Sequence, residues 1–315
     1  MRFVFVMDAP ERIAPATDTT YGFIEAALPR GHQCLHCLPT EVEFSGGDVY
    51  ARLGALRIDA TGSPLVVDGS ERVALADVDA VFIRKDPPFD QAYFYATLLL
   101  EQLRGKTLML NDPRGLREAN EKLYILNFPQ HTPPTLVTAD RAAIFEFVEQ
   151  VGGQAVIKPL DGAGGFGVMA LEGGGRNVRA IVDMLTREGR RLAMVQQYLP
   201  EIAEGDKRVL LLDGAPLGAI LRVPQGGDLR ANIHVGSQVR AADLDDQETR
   251  LVADIASKLR ADGLVFVGLD LIGGRMTEIN VTSPTGIREL GDLSGTTPSD
   301  EVIDWVEKQV QQLGS

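Results

Sequence analysis

Two carboxylates and an amide, Asp270, Glu278 and Asn280, share one stretch, GLVFVGLDLIGGRMTEINVTSP at residues 263–284. Leu264 to Ile272 is a run of β-formers, Gly273-Gly274 turns the chain, and Arg275 to Val281 reads as the returning antiparallel strand. Whether the three groups meet depends on parity, because strand side chains alternate faces and directly opposed residues share one. A two-residue turn pairs Ile272 with Arg275 and sets Asp270 opposite Thr277. A three-residue loop, or a bulge, sets Asp270 opposite Glu278 with Asn280 on the same side. The second arrangement leaves Val265, Val267, Leu269 and Leu271 as an apolar stripe for the core, and that segregation favours it. Three hard oxygen donors on one face suit Mg²⁺ or Mn²⁺ that keeps waters and takes further ligands from substrate phosphates. The alternative is a solvated hairpin whose acids face water.

A second constellation is Lys158, at the end of a strand, followed by D-G-A-G-G-F-G at 161–167. Gly162, Gly164 and Gly165 permit positive φ and close backbone approach to a phosphate, and a lysine beneath such a flap reaches phosphate oxygens. The loop lacks the Lys-Ser/Thr of a P-loop, and a strand follows it rather than a helix, so it is neither a P-loop nor a dinucleotide fingerprint. A plain hairpin turn is the alternative. The strand Ala193 to Gln197 exits through Tyr198-Leu199-Pro200, where freed backbone groups are placed to pair with an adenine edge. A third stretch, PQGGDLRANIHVGS at 224–237 with Arg222 before it, carries Arg230 and Asn232 between glycines. It suits a lid over transferring phosphate, against the alternative of an ordinary surface loop.

The elements that must carry these groups read as α/β. Arg2–Met7, a helix over Thr19–Leu28 and a strand at Gln33–Leu38 form a β-α-β opening, which predicts a Rossmann-like parallel sheet, with polar loops and hairpins from Pro39 to Asp77. Ala80–Ile83 is a third strand, ending in R-K-D-P-P-F-D at 84–90, and the carboxyl end of a parallel strand is where open sheets bind ligands. A helix over Gln91–Leu103 and a strand at Thr107–Leu110 follow. From Asn120 onward a short helix bears Lys122, Asp140 caps an amphipathic helix, and Asp245–Arg260 is a helix whose Leu251, Val252, Ile255 and Leu259 face should cover the hairpin. The division expected is 1–120, 121–200 and 201–315.

Composition bounds the class. A chain of 315 residues, 44% hydrophobic and 24% charged, buries a large core in two or three lobes. A net charge of -13 argues against nucleic acid or an anionic membrane as partner. No apolar run approaches a membrane span and the opening is acidic by Asp8, so a cytoplasmic location is expected. Cys34 and Cys37 read C-L-H-C, but on a strand residues three apart point to opposite faces, and no second ligand pair exists, so the structural role is preferred to a metal or redox motif.

Taken together, FIRKDPPFD (82–90), NEKLY (120–124), VIKPLDGAGGFGV (156–168), QYLPEIAEGDKRVLLLDG (197–214), RVPQGG (222–227) and FVGLDLIGGRMTEINVTSPTGIRE (266–289) resemble the ATP-grasp superfamily. Within it, nearly the whole chain resembles the prokaryotic glutathione synthetases. The resemblance implies an N-terminal lobe followed by a two-lobed ATP-grasp region. It implies ligation of γ-glutamylcysteine to glycine with ATP as co-substrate and Mg²⁺ or Mn²⁺ on Asp270, Glu278 and Asn280, the alternatives being another ATP-grasp carboxylate-amine ligase or a non-catalytic ATP-binding module. It also implies phosphate contacts from Lys122 and Lys158, adenine reading by Gln197, Tyr198 and Leu199, and Lys207 in the nucleotide site. Arg222, Arg208 and Arg230 would stabilise the acyl phosphate, while Asn232, Ser283 and Arg288, with Arg84 and Asp86, would line the substrate pocket. A homo-oligomer, a tetramer built through the N-terminal lobe, is implied as well. The lid departs from the family in Ala231 and Ile233-His234-Val235.

Overall fold

The computed structural model describes residues 1–224 and 238–314. The chain opens with β1 (Arg2–Met7), α1 (Thr19–Ala27), β2 (Gln33–Cys37), β3 (Val42–Ser45), β4 (Asp48–Ile58), β5 (Leu65–Ala74), β6 (Ala80–Arg84), α2 (Gln91–Leu100), β7 (Leu108–Leu110) and α3 (Pro113–Glu118). Strands β2, β1, β6 and β7 are parallel neighbours in that order, and β4 joins β2 antiparallel, carrying β3 and β5. The predicted parallel sheet is present. The stretch expected as polar loops and hairpins contains two long strands, of which β5 is largely exposed and so shows no alternating core pattern.

Alternation along β1 splits its side chains between two layers. Phe3 and Phe5 join Phe23 and Ile24 of α1, whereas Val4 and Val6 join Tyr93 and Leu100 of α2. Cys34 belongs to the first layer and Cys37 to the second, both as free buried thiols, as their spacing on a strand requires.

The middle of the chain forms β8 (Thr135–Thr138), α4 (Arg141–Gln150), β9 (Gln154–Pro159), β10 (Met169–Glu172), α5 (Val178–Leu185) and β11 (Ala193–Gln197). Its antiparallel sheet runs β10-β9-β11-β8 and has its own core around Ile144, Val148, Ile157, Val182 and Val195. The predicted cap is there: the Asp140 carboxylate accepts from Ala142 N.

The remainder is β12 (Asp206–Leu212), β13 (Ala215–Val223), β14 (Gln238–Ala242), α6 (Asp246–Ala261), β15 (Phe266–Ile272), β16 (Arg275–Asn280), α7 (Ile287–Ser294) and α8 (Pro298–Leu313). Its five strands run β14-β13-β12-β15-β16. Leu251, Val252, Ile255 and Leu259 of α6 lie against Val209, Leu211, Val267, Leu269 and Leu271, so the helix covers the apolar face as its pattern predicts. A reciprocal cap fixes its start: Asp245 accepts from Glu248 N and Glu248 accepts from Asp245 N. The last helix, α8, returns to pack on α1 and β7.

Asn111 joins the first sheet to the last. Its buried amide donates to Phe266 O and Val281 O and accepts from Val265 N and Phe266 N, at 2.7–2.9 Å.

Candidate active site

The hairpin of β15 and β16 turns through Gly273 and Gly274, both at positive φ, in the two-residue manner that pairs Ile272 with Arg275. Left regular, that register would set Asp270 opposite Thr277. A bulge between Leu271 and Asp270 takes up the extra residue, so Asp270 pairs with Glu278 and Gly268 with Asn280. Both turn geometries weighed from the sequence are thus partly realised, the short turn and the shifted register.

Asp270 is buried and held by cations from two other strands. Its Oδ1 lies 2.5 Å from Arg208 Nε and 2.9 Å from Arg222 Nη2, and its Oδ2 accepts from Arg208 Nη2 at 2.9 Å and Asn280 Nδ2 at 3.1 Å. Burial would raise its carboxyl, but Arg208 and Arg222 outweigh that and hold it well below the usual carboxylate range. Glu278 Oε1 lies 3.0 Å from Lys122 Nζ, which also donates to Gly162 O. Every anion here faces a cation, and what the hairpin offers a divalent ion is two carboxylates and an amide oxygen. Among the described residues no three His, Cys, Asp or Glu side chains gather into a metal site, so an ion here would depend on Asn280 and substrate oxygens to complete its shell.

A cavity opens between the four-stranded middle sheet and the five-stranded last sheet. Its lining combines the polar Lys122, Lys158, Asp206, Arg222, Asp270 and Glu278 with the apolar Val156, Val168, Leu199, Ile202 and Ile272. Lys158 is held by Gln196 Oε1 at 2.7 Å, and burial lowers its pKa while Glu278 opposes the shift. Gly162 and Gly165 line the cavity at the flap, and a Cβ on Gly162 would come within 2.7 Å of Phe166 O. Gln197, Tyr198 and Leu199 line its rim. The amides of Gln197 and Tyr198 already bond Pro134 O and Gln154 O, whereas Leu199 N–H has no acceptor among the described residues.

A second cavity, of about 390 Å³, adjoins the first at Arg222 and is lined by Gly164, Arg208, Asn280, Ser283 and Asp86 among others. Three residues predicted for the site lie elsewhere. Lys207 points to the opposite face of β12 from Asp206 and Arg208, where its ammonium meets the buried Glu248 carboxylate at 2.5 Å and Asp243 O at 2.8 Å. Arg84 is buried under the second cavity: it donates to Thr20 Oγ1 and Pro284 O and lies 5.6 Å over the Phe23 and Phe266 rings. Arg288 pairs with Glu25 at 2.5 Å in a crevice between α1 and α7. Arg230 and Asn232, with the rest of the predicted lid from Gln225 on, lie outside the described residues.

Two residues went unread in the sequence. Asp206 lies two before Arg208 and so shares its face, a parity signal present in G-D-K-R. Its Oδ2 pairs with Arg222 at 2.5 Å, its Oδ1 is buried without a partner, and burial pushes the group up to about 6, against Arg222 and with a push from Asp270. Glu121 precedes Lys122, and its Oε1 accepts from Val281 N, Thr282 N and Thr282 Oγ1 while its carbonyl accepts from Ile279 N. Nothing in its own spacing announces that contact, which spans 160 residues.

Two antiparallel sheets closing on a lysine-lined cavity, with a glycine flap on one and an acidic hairpin on the other, define an ATP-dependent ligase of the ATP-grasp fold. The fold is shared over 99% of the chain with D-cycloserine synthetase DcsG, at TM-score 0.66, 17% identity and all of that chain. It is shared over 98% with the ATP-grasp ligase PsnB, solved with a minimal precursor, Mg and ADP, at TM-score 0.63, 18% identity and 98% of that chain. The chain belongs to the prokaryotic glutathione synthetase family: residues 1–117 match the model of that family's N-terminal domain and residues 121–295 that of its ATP-grasp domain. The glutathione synthetase of Synechocystis sp. is 43% identical across 98% of this chain and all of its own. That of Mesorhizobium japonicum is 37% identical across 98% of each. No helix of the described residues is long and apolar enough to cross a membrane.

Proposed function

We propose that this ligase joins γ-glutamylcysteine to glycine, forming glutathione with conversion of ATP to ADP and phosphate. The observation that carries the reading is that the acidic hairpin and the two arginines of β12 and β13 stand where the nucleotide cavity opens into the second cavity. A carboxylate is a poor acyl donor because its leaving group would be oxide. Phosphorylation removes that obstacle: a carboxylate oxygen of the cysteinyl residue attacks the γ-phosphorus of ATP and ADP leaves. The glycine nitrogen then attacks the acyl carbon and phosphate leaves, closing the amide.

In this reading Lys122 and Lys158 hold the nucleotide phosphates under the Gly162–Gly165 flap, and Gln197 to Leu199 read the adenine. Asp206 lines the same cavity and, paired with Arg222, fixes that guanidinium beside the phosphates. Arg208 and Arg222 orient the substrate carboxylate and offset charge as the acyl phosphate and the tetrahedral oxyanion form. Asp270, Glu278 and Asn280 would hold Mg²⁺ or Mn²⁺, which when bound neutralises phosphate charge during transfer. Asn280 and Ser283 line the acceptor side. The reading includes a cytoplasmic enzyme and, from the family resemblance, a homotetramer.

The test is ADP release with Mg²⁺, ATP, γ-glutamylcysteine and glycine, repeated with each amino substrate omitted. Release that needs both, with glutathione appearing in step, is expected. Release that needs a different acid and amine would overturn the substrate assignment.

A further inference from the structure

Three consecutive residues ahead of β8 are each tied to the site. Glu121 gathers the Val281 and Thr282 amides, and Lys122 reaches both Glu278 and Gly162 O. Asn120, just before them, takes no part in the proposed chemistry. Its Oδ1 accepts from Lys122 N at 3.1 Å and Leu123 N at 3.0 Å, and its Nδ2 donates to Leu160 O at 3.0 Å. Both ends of the amide are therefore fixed.

Leu160 is where β9, ending at Pro159, passes into the glycine flap. The bonds from Asn120 to Leu160 O and from Lys122 to Gly162 O are two rungs of one ladder, since donors and acceptors are both two residues apart. The rungs differ in stiffness. Lysine carries its ammonium on a flexible four-carbon stem, whereas the Asn120 amide is short and its oxygen is pinned by two N–H groups. Packing does not hold the flap root on this side, because a cavity of about 180 Å³ lies between Leu160 to Ala163 and the side chains of Phe89 and Leu116. Asp161 ties the flap to Arg191 of its own lobe, and Phe166 at the tip is 78% exposed. The stiff tie to the segment bearing Lys122 is Asn120.

We infer that Asn120 is a positioning residue that sets the root of the glycine flap against the segment bearing Lys122, so that flap and lysine meet the nucleotide phosphates in register. The inference rests on the reading of Lys122 and the flap as phosphate-holding groups. The Lys122 ammonium has three donors, of which Glu278 and Gly162 O take two, and a flap displaced at Leu160 draws Gly162 O away from it. With Asn120 in place the alignment exists before nucleotide arrives, and binding has less to order. The bond is exposed, so its contribution to stability is small and its effect lies in geometry.

The experiment uses the full chain and two substitutions that keep an oxygen for the Lys122 and Leu123 amides but cannot donate to Leu160 O. Asn120→Ser is neutral and too short to reach it, and Asn120→Asp has the shape of asparagine without the N–H. In both, KM for ATP is expected to rise about fivefold, the equivalent of one ordinary hydrogen bond, with Tm and the KM values for the amino substrates unchanged. Flap placement is read separately by chymotrypsin, which cuts after the exposed Phe166. Saturating ADP with Mg²⁺ should slow that cut in the wild-type chain and slow it about fivefold less in both variants, since cleavage follows the population with the flap lifted. An unchanged KM for ATP or unchanged protection in Asn120→Ser would overturn the inference, as would a lowered Tm as the only effect. A loss confined to Asn120→Asp would trace to its added charge and overturn it equally. A wild-type flap that nucleotide does not protect would overturn the phosphate-holding reading of Lys122 and the flap, and the inference with it.

Discussion

At Lys207 one residue separates a place in the site from a place in the core. Asp206 and Arg208 face the cavities, where they pair with Arg222 and Asp270, and Lys207 between them neutralises Glu248 on α6. Lys207→Met strands a buried carboxylate and is expected to cost about 2–3 kcal/mol of stability while leaving KM for ATP unchanged. A clear rise in that KM would return Lys207 to the nucleotide site. Asp18 supplies a prediction with a sign. Burial raises its pKa above the ordinary 3.8, although the Tyr21 amide and Arg84 pull against it. The folded chain therefore holds the proton to higher pH than the unfolded chain does. Asp18's stabilising contribution is complete below about pH 4 and is lost as pH rises through the folded value. Asn caps a helix as well as Asp does, so Asp18→Asn should raise Tm of the ligand-free chain at pH 7 and leave it unchanged near pH 3. A lower Tm at pH 7 would show that the ionised carboxylate is a net stabiliser.

Between elements, Glu121 does for the site what no single strand can. Its carboxylate gathers the Val281 and Thr282 amides, its carbonyl takes the Ile279 amide, and the next residue is Lys122. The lysine and the Asn280 end of the hairpin are thereby referred to one point. Glu121→Ala leaves two buried amides without acceptors, and a loss of about 2–4 kcal/mol with a fall in kcat is expected. Gln keeps the accepting oxygen, so Glu121→Gln should recover most of both. Equal damage from the two would mean that the charge, not the acceptor, matters. The bulge in the hairpin works at the same scale. The two-residue Gly-Gly turn and the Asp270–Glu278 pairing are incompatible in a regular ladder, and one unpaired residue reconciles them.

Across the whole molecule, the first sheet and the last are joined by Asn111 and by the last two helices, α8 packing on α1 and β7 and α7 on β13 and β14. Each of the two larger cores draws on both ends of the chain, with Phe3 and Val302 in one and Val4 and Leu269 in the other. Asn111→Ala removes four hydrogen bonds at once from the ends of β15 and β16. It should cost about 3 kcal/mol or more and lower activity through the hairpin, since Asp270 sits on the same strand. Thermal unfolding followed together with ADP release tests this, and an unchanged Tm would show the junction to be held by packing alone.

What the sequence determined by itself was chemistry and alternation. Asp270, Glu278 and Asn280, Lys158 before its glycine flap, and the apolar stripe of α6 were legible because period and turn residues are local properties of the backbone. The opposite placing of Cys34 and Cys37 followed from the same rule. The tertiary structure alone decided which side of a strand became a cavity. Arg84 ended beneath the second cavity and Arg288 beside Glu25, since the surfaces that close over them come from β15 and α1, far away in sequence. Glu121 and Asn111 gained their roles in the same way, because a side chain's partners across 150 residues are set by packing and hydrogen-bond satisfaction rather than by neighbours in the chain.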